Sequence, residues 1–218
     1  MTVDDKQLIT HITRLVVAAL VQHTDPHRVV LGVSNRHVHL SPGDYRTLFG
    51  SGEPTVKAWV VQHGEFAAEQ TVTIQGPRGT MERVRVMGPC RPRSQVELSQ
   101  SDCRTLGIDA PVRQSGHLDD AAPITIIGPA GRVDLPHAAI VAARHIHLGP
   151  DDARRLGVQD QDLVRVRIDG DRGGTLDHVI CRVKDSYTAE VHLDTDEANG
   201  VGGRTGDRVL IITPEARS

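Results

Sequence analysis

A chain of 218 residues can bury a core of its own and is compatible with one large domain or two small ones. Its 25 basic and 28 acidic side chains leave a net charge of −3, and aromatics make up 2%. This excludes both a global basic field for nucleic acid backbones and a base-stacking platform. Only three cysteines occur, Cys90, Cys103 and Cys181, with no close pair, no secretory signal and no apolar run near the roughly 20 residues of a membrane span. A cytoplasmic protein with reduced thiols is expected, with neither nucleic acid nor membrane as its partner.

Taken in order, residues 4 to 22 set Leu8, Ile9, Ile12, Leu15, Val16, Ala19 and Leu20 at helical spacing, which predicts an amphipathic N-terminal helix. Short strand-like runs follow at 28 to 34, 55 to 61, 70 to 76, 82 to 87, 94 to 98, 124 to 128 and 139 to 148. More come at 162 to 168, 176 to 183, 188 to 193 and 208 to 212. Gly, Pro and Asp punctuate them closely, as in Gly76-Pro77-Arg78-Gly79, so most neighbouring strands should be antiparallel. The polar stretch Gln114 to Asp120 reads as an exposed connection. A mainly β barrel or sandwich is expected, and a doubly wound sheet is not.

The 12 histidines are a surplus, and four of them fall in a repeat: Arg36-His37-Val38-His39-Leu40-Ser41-Pro42 against Arg144-His145-Ile146-His147-Leu148-Gly149-Pro150. Two weaker copies fit the same frame, Gln95-Val96-Glu97-Leu98-Ser99 and Glu190-Val191-His192-Leu193-Asp194. Each reads as a strand ending in a polar-apolar-polar triplet and Leu, then a cap at Ser41, Ser99, Gly149 or Asp194 and a short helix. Pro42 and Pro150 suit the first helical position, where a missing amide hydrogen costs nothing. Gly50, Gly107 and Gly157 can close helices over Tyr45 to Phe49, Cys103 to Leu106 and Ala153 to Leu156.

Side chains two apart on a strand share a face, so His37 converges with His39 and His145 with His147. Imidazole suits zinc and similar divalent ions, and Glu97 stands at the frame position of His39, His147 and His192. Six donors suffice for two adjacent metals, where one tetrahedral ion would leave some unused.

At these residues the sequence resembles the PduL-type phosphotransacylases, also called phosphate propanoyltransferases. The likeness spans about residues 28 to 205 and includes Gly32 to Leu40, Gly64 to Val72, Val86-Met87-Gly88-Pro89, Gln95-Val96-Glu97, Ala143 to Leu148 and His192 to Asn199. The resemblance implies two β-barrels capped by short α-helices, a dinuclear zinc site between them and a homodimer. It further implies a division into an N-terminal helix over 1 to 25, a first barrel from 26 to 36 plus 144 to 213, and a second barrel from 37 to 143. Related enzymes can carry a short amphipathic helix that directs them into bacterial microcompartments, so residues 1 to 22 are expected either to pack on a barrel or to bind shell or cargo.

The family reaction converts acyl-CoA and phosphate into acyl phosphate and CoA, reversibly, as in propanediol degradation. It needs a Lewis acid on the thioester carbonyl, a cation for phosphate, and both reactants held in attack geometry. A guanidinium fork matches phosphate oxygens, and the family's phosphate-binding arginine falls at Arg91. Ser34, Arg85 and Asn199 resemble other pocket-lining positions, with Lys57 a weaker one. Cys90, beside Arg91, reads as a small apolar strand-end residue rather than a nucleophile. Where family members often read Ser-Gln-Pro-Gly-Gln-Phe-Ala, this chain has Val61-Gln62-His63-Gly64-Glu65-Phe66-Ala67. The same donors could instead serve a two-metal hydrolase of thioesters or phosphate esters, or a noncatalytic metal-binding protein of a microcompartment.

Overall fold

A computed structural model describes residues 25 to 213, so the helix expected over residues 4 to 22 lies outside the described part. In chain order its strands are β1 (Arg28–Ser34), β2 (His37–His39), β3 (Val56–Trp59), β4 (Phe66–Gln75), β5 (Thr80–Gly88), β6 (Gln95–Leu98) and β7 (Val112–Arg113). They continue as β8 (Ala122–Ile127), β9 (Arg132–Ala142), β10 (His145–Leu148), β11 (Leu163–Ile168), β12 (Gly174–Val183), β13 (Glu190–Asp194) and β14 (Arg208–Ile212). Four short helices intervene: α1 (Pro42–Phe49), α2 (Gln100–Leu106), α3 (Pro150–Leu156) and α4 (Thr195–Gly200).

The strands make two closed barrels. One runs β1-β13-β10-β12-β11-β14 and returns to β1. The other runs β4-β5-β2-β6-β9-β8 and returns to β4, with β3 laid outside on β4 and β7 on β9. The chain enters the second barrel through Asn35 and Arg36, between β1 and β2, and leaves it through Ala143 and Arg144, between β9 and β10. The single run expected over 139 to 148 is thus two strands in different barrels. An apolar run does not reveal that its two halves bury their faces in different cores.

Each barrel has its own aliphatic core, as the scarcity of aromatics requires. Leu31, Ile146, Leu148, Val166, Val191 and Leu193 fill one, and Val38, Leu40, Ile74, Val86, Val96 and Leu98 the other. The apolar residues of all four repeat copies are therefore core anchors, none more than 3% exposed. Burying a Val, Leu or Ile side chain is worth about 1.5–3 kcal/mol, and a one-residue slip would turn these inside out. That burial fixes the register and forces the polar residues of each triplet onto the opposite face.

The helices start as the frame predicts. Ser41 accepts from the Asp44 amide, while Ser99 with Asp102 and Asp194 with Glu197 make reciprocal capping boxes. Gly149 caps α3 with no side-chain bond, leaving Pro150 to start that helix. At the far ends, Gly107 and Gly157 have φ of 73° and 68°, a left-handed conformation that glycine adopts without a Cβ penalty. Antiparallel neighbours predominate as expected, yet every strand that carries a candidate donor also has a parallel one: β2 with β5, β6 with β9, β10 with β12 and β13 with β1. Parallel pairing needs a long crossover, which the turn-rich sequence hides.

Candidate metal centre

Pairing within each barrel completes two candidate donor sets. β2 runs antiparallel to β6 with His37 opposite Glu97, and β10 runs antiparallel to β13 with His145 opposite His192. The result is two groups of three donors, His37, His39 and Glu97 in one barrel and His145, His147 and His192 in the other. Within each group the potential ligand atoms lie within 4.8 Å of one another. A single cleft between the two crossings is lined by Ser34, His37, Glu97, His145 and His192, so both groups open on one space.

The donor set fits a borderline divalent cation such as zinc. His37 Nδ1 lies 2.8 Å from the Asn35 carbonyl and His145 Nδ1 2.9 Å from the Ala143 carbonyl. A carbonyl only accepts, so each ring carries its hydrogen at Nδ1 and keeps a lone pair at Nε2. His39 Nδ1 and both ring nitrogens of His147 are buried without a hydrogen-bond partner. Buried polar atoms normally have partners, and three such atoms in one seam call for a ligand.

Electrostatics agree. Burial first, then the neighbouring His37 and Arg91 charges, holds His39 well below the ordinary imidazole value. Burial and His192 bring His145 down to about 4, and burial with His145 and His192 depresses His147 strongly. Burial alone would raise the Glu97 carboxyl, but His37, His39, the Ser115 hydroxyl and Arg91 together bring it to about 2. Neutral His39, His145 and His147 beside an ionised Glu97 are the protonation states a cation requires.

Arg91 stands at this site. Its guanidinium donates to Ser115 Oγ at 3.2 Å and pairs with Glu65 Oε1 at 3.1 Å. Ser115 in turn donates to Glu97 Oε1 at 2.8 Å, and Gln95 Nε2 reaches the same oxygen at 2.6 Å. The charge of Arg91 bears on His39 and Glu97 in one group and on His147 in the other.

The remaining expected residues are more scattered. Arg85 pairs in register with His37 but donates to the Ala68 and Glu69 carbonyls at 2.8 and 2.9 Å. Lys57 is exposed on β3, and Asn199 is exposed on α4.

Sequence reasoning missed Ser115, Gln95, Glu65, Gln62 and Glu190 as parts of this site. The stretch 114 to 120 is a loop, but it is not merely an exposed connection: Leu118 is 2% exposed and Ser115 reaches the ligand group. Gln95 and Glu190 did carry a signal, since each is the first polar residue of its triplet in the repeated frame.

Fold and site together define a mainly β, double-barrel protein with two three-donor groups facing one cleft. A model of the family described as phosphate propanoyltransferase matches residues 30 to 204. Among curated proteins, the phosphate propanoyltransferase of Rhodopseudomonas palustris (strain BisB18) is 49% identical over 188 residues, 86% of this chain and 83% of that one. That of Thermotoga maritima is 48% identical over 186 residues, 84% and 89% of the two chains. The Salmonella typhimurium (strain LT2) protein of the same name is 46% identical over 199 residues, 91% and 93%. The chain belongs to the phosphate propanoyltransferase family, and its class is that of an acyltransferase, a phosphotransacylase.

Proposed function

We propose that the chain interconverts a short-chain acyl-CoA, propionyl-CoA or acetyl-CoA, and phosphate with acyl phosphate and CoA, at a site holding two zinc ions. His37, His39 and Glu97 would hold one ion, and His145, His147 and His192 the other. The observation that carries this reading is the bonded chain Arg91–Ser115–Glu97, which ties a guanidinium fork to a metal-ligand carboxylate. A phosphate binder and a Lewis-acid site are the two elements that acyl transfer to phosphate needs together.

In the reaction a phosphate oxygen attacks the thioester carbonyl carbon, the carbon–sulfur bond breaks, and CoA leaves as the thiolate, which takes up a proton. Arg91 binds phosphate by two parallel hydrogen bonds and holds it against the carbonyl, while Ser115 fixes the direction of the fork. When bound, zinc supplies Lewis-acid stabilisation of the oxyanion that develops on the carbonyl oxygen. Ser34 lines the cleft and meets the acyl end, and Lys57, Arg85 and Asn199 are assigned to CoA, whose phosphates the two cations suit. Cys90 takes no covalent part, and burial raises its thiol pKa, which leaves less thiolate at neutral pH.

A homodimer and residence in the cytoplasm, in a microcompartment reached through the N-terminal segment, belong to the same proposal. They are supported by the family resemblance. Among the described residues no helix is long and apolar enough to cross a membrane.

The deciding experiment uses metal-quantified protein with propionyl-CoA or acetyl-CoA, with and without phosphate. Phosphate-dependent CoA release with acyl phosphate formed is expected. Losing the charged fork in Arg91→Ala should cost about 2–4 kcal/mol of transition-state stabilisation, or roughly 30- to 1000-fold in kcat/KM for phosphate. Thiol release that ignores phosphate would instead identify a hydrolase, and two bound zinc ions with no turnover a noncatalytic protein.

A further inference from the structure

We propose that Glu190 is a positioning carboxylate for His192, built into the second ligand group as the counterpart of Gln95 in the first. This rests on the two-metal reading above and extends it to a residue outside both ligand sets.

The two ligand groups are copies of one arrangement. Opposite His39 on β6 stands Gln95, and opposite His147 on β13 stands Glu190. Each lies two residues before the third ligand of its group, Glu97 or His192, and so shares its face of the strand. Each is buried, Gln95 at 2% and Glu190 at 7% exposure. Each also touches that third ligand, Gln95 Nε2 at 2.6 Å from Glu97 Oε1 and Glu190 Oε2 at 3.2 Å from His192 Nε2.

The chemistry is exchanged in the sense that complementarity demands. A carboxylate ligand needs a donor beside it, and Gln95 supplies an amide. An imidazole ligand needs an acceptor at the ring nitrogen turned away from the ion, and Glu190 supplies a carboxylate beside Nε2, which leaves His192 Nδ1 to bind. The ring edge of His192 is out of line for a full hydrogen bond, so this contact is chiefly electrostatic. It also balances charge: the first group contains one carboxylate and the second is all imidazole until Glu190 is counted.

The fold leaves room for this carboxylate. Gly32 lies alongside, and a Cβ there would sit 2.6 Å from Glu190 Oε1. Among the described residues the only ion-pair partner of Glu190 is His192, with no Lys or Arg near enough. Its other contact is Gln62 Nε2, at 2.8 Å to Oε2. Gln62 belongs to the loop between β3 and β4 of the opposite barrel and is itself held at the Thr188 backbone, donating to the carbonyl at 3.1 Å and accepting from the amide at 3.3 Å. A buried carboxylate that accepts from Gln62 and otherwise pairs only with an imidazole gains further when positive charge comes to that imidazole.

The test titrates zinc-loaded full-length protein with chelators of increasing strength and counts zinc per chain. Wild type should hold two ions. Glu190→Gln should release one of them at about 10- to 100-fold weaker chelation, the range for losing such a partner, while the other ion is held as in wild type. Glu190→Asp should recover part of the loss, and Gln62→Ala should weaken the same ion by a smaller factor. Added to His192→Ala, Glu190→Gln should weaken binding no further. A Glu190→Gln profile superimposable on a two-ion wild type overturns this proposal and leaves the two-metal reading intact. Equal weakening of both ions also overturns it, because a structural defect would not choose between them. A wild-type chain that binds no second zinc sinks the two-metal reading and this proposal with it.

Discussion

Glu65 already occupies one side of the Arg91 fork, at 3.1 Å. Both side chains are about one-third exposed, so the pair contributes only about 0.2–1 kcal/mol. It is nonetheless a carboxylate placed where phosphate is proposed to bind, and phosphate must displace it or share the guanidinium. Glu65→Gln keeps the shape and removes the charge. It should lower KM for phosphate by up to about fivefold, the equivalent of ~1 kcal/mol, and leave KM for acyl-CoA unchanged. Initial rates against phosphate at constant ionic strength read this, and an unchanged or raised KM would show that Glu65 assists phosphate instead of competing with it. Glu65 stands where the family pattern often has glutamine, so the residue was visible in the sequence but its partner was not. The same division runs through the site. His37 and His39, or His145 and His147, are legible because two-residue spacing dictates a shared face. Glu65, Gln62 and Ser115 sit on loops whose destinations depend on contacts far along the chain.

Between strand and helix, the repeated frame places a capping residue directly after each ligand strand, and in three copies the cap bonds as its sequence predicts. The α2 cap is the most consequential. Ser99 binds the Asp102 amide at 3.2 Å, and Asp102 also pairs with Arg36 at 2.8 Å, on the crossing segment just before His37. Ser99→Ala should therefore cost about 1 kcal/mol, within the 0.5–2 range for lost N-caps, and should loosen the hold on Arg36 as well. Urea unfolding monitored by circular dichroism measures the first effect; a midpoint equal to wild type would mean that Asp102 is held without the cap. Glu197 of α4 mirrors this, pairing with Arg144 at 2.8 Å on the return crossing. Caps are legible because they act over three residues. The break between β9 and β10 was not legible from periodicity, since the apolar run Ala139 to Leu148 continues across it; a division at residues 143 and 144 came only from the family resemblance.

Two barrels joined by crossings at residues 35 to 36 and 143 to 144 have little covalent reason to hold one mutual orientation. Polar contacts span the seam, among them Gln62 with Glu190 and Ser101 with Asp196 at 2.8 Å. Barrel closure itself depends on pairings such as β4 with β8, which join residues some fifty positions apart and leave no periodic trace; sequence patterning therefore reached a barrel or sandwich and no further. Each ion, bound by three donors of one barrel on the wall of the shared cleft, would add a stabilisation that exists only while that barrel is folded. At free zinc 100-fold above Kd, that linkage is worth about 2.7 kcal/mol per site. For a chain of this size ~1 kcal/mol moves Tm by roughly 2–4 °C, so stripping both sites should lower Tm by about 10–20 °C. Adding zinc back should restore it, and His145→Ala should abolish about half of the restorable shift. Hydrogen exchange locates the effect: because neither ion takes donors from both barrels, removing zinc should speed exchange within each barrel, at β2 and β6 in one and at β10 and β13 in the other. Faster exchange confined to the two crossings and the loop between β3 and β4, with both cores still protected, would instead mean that the ions act on the seam.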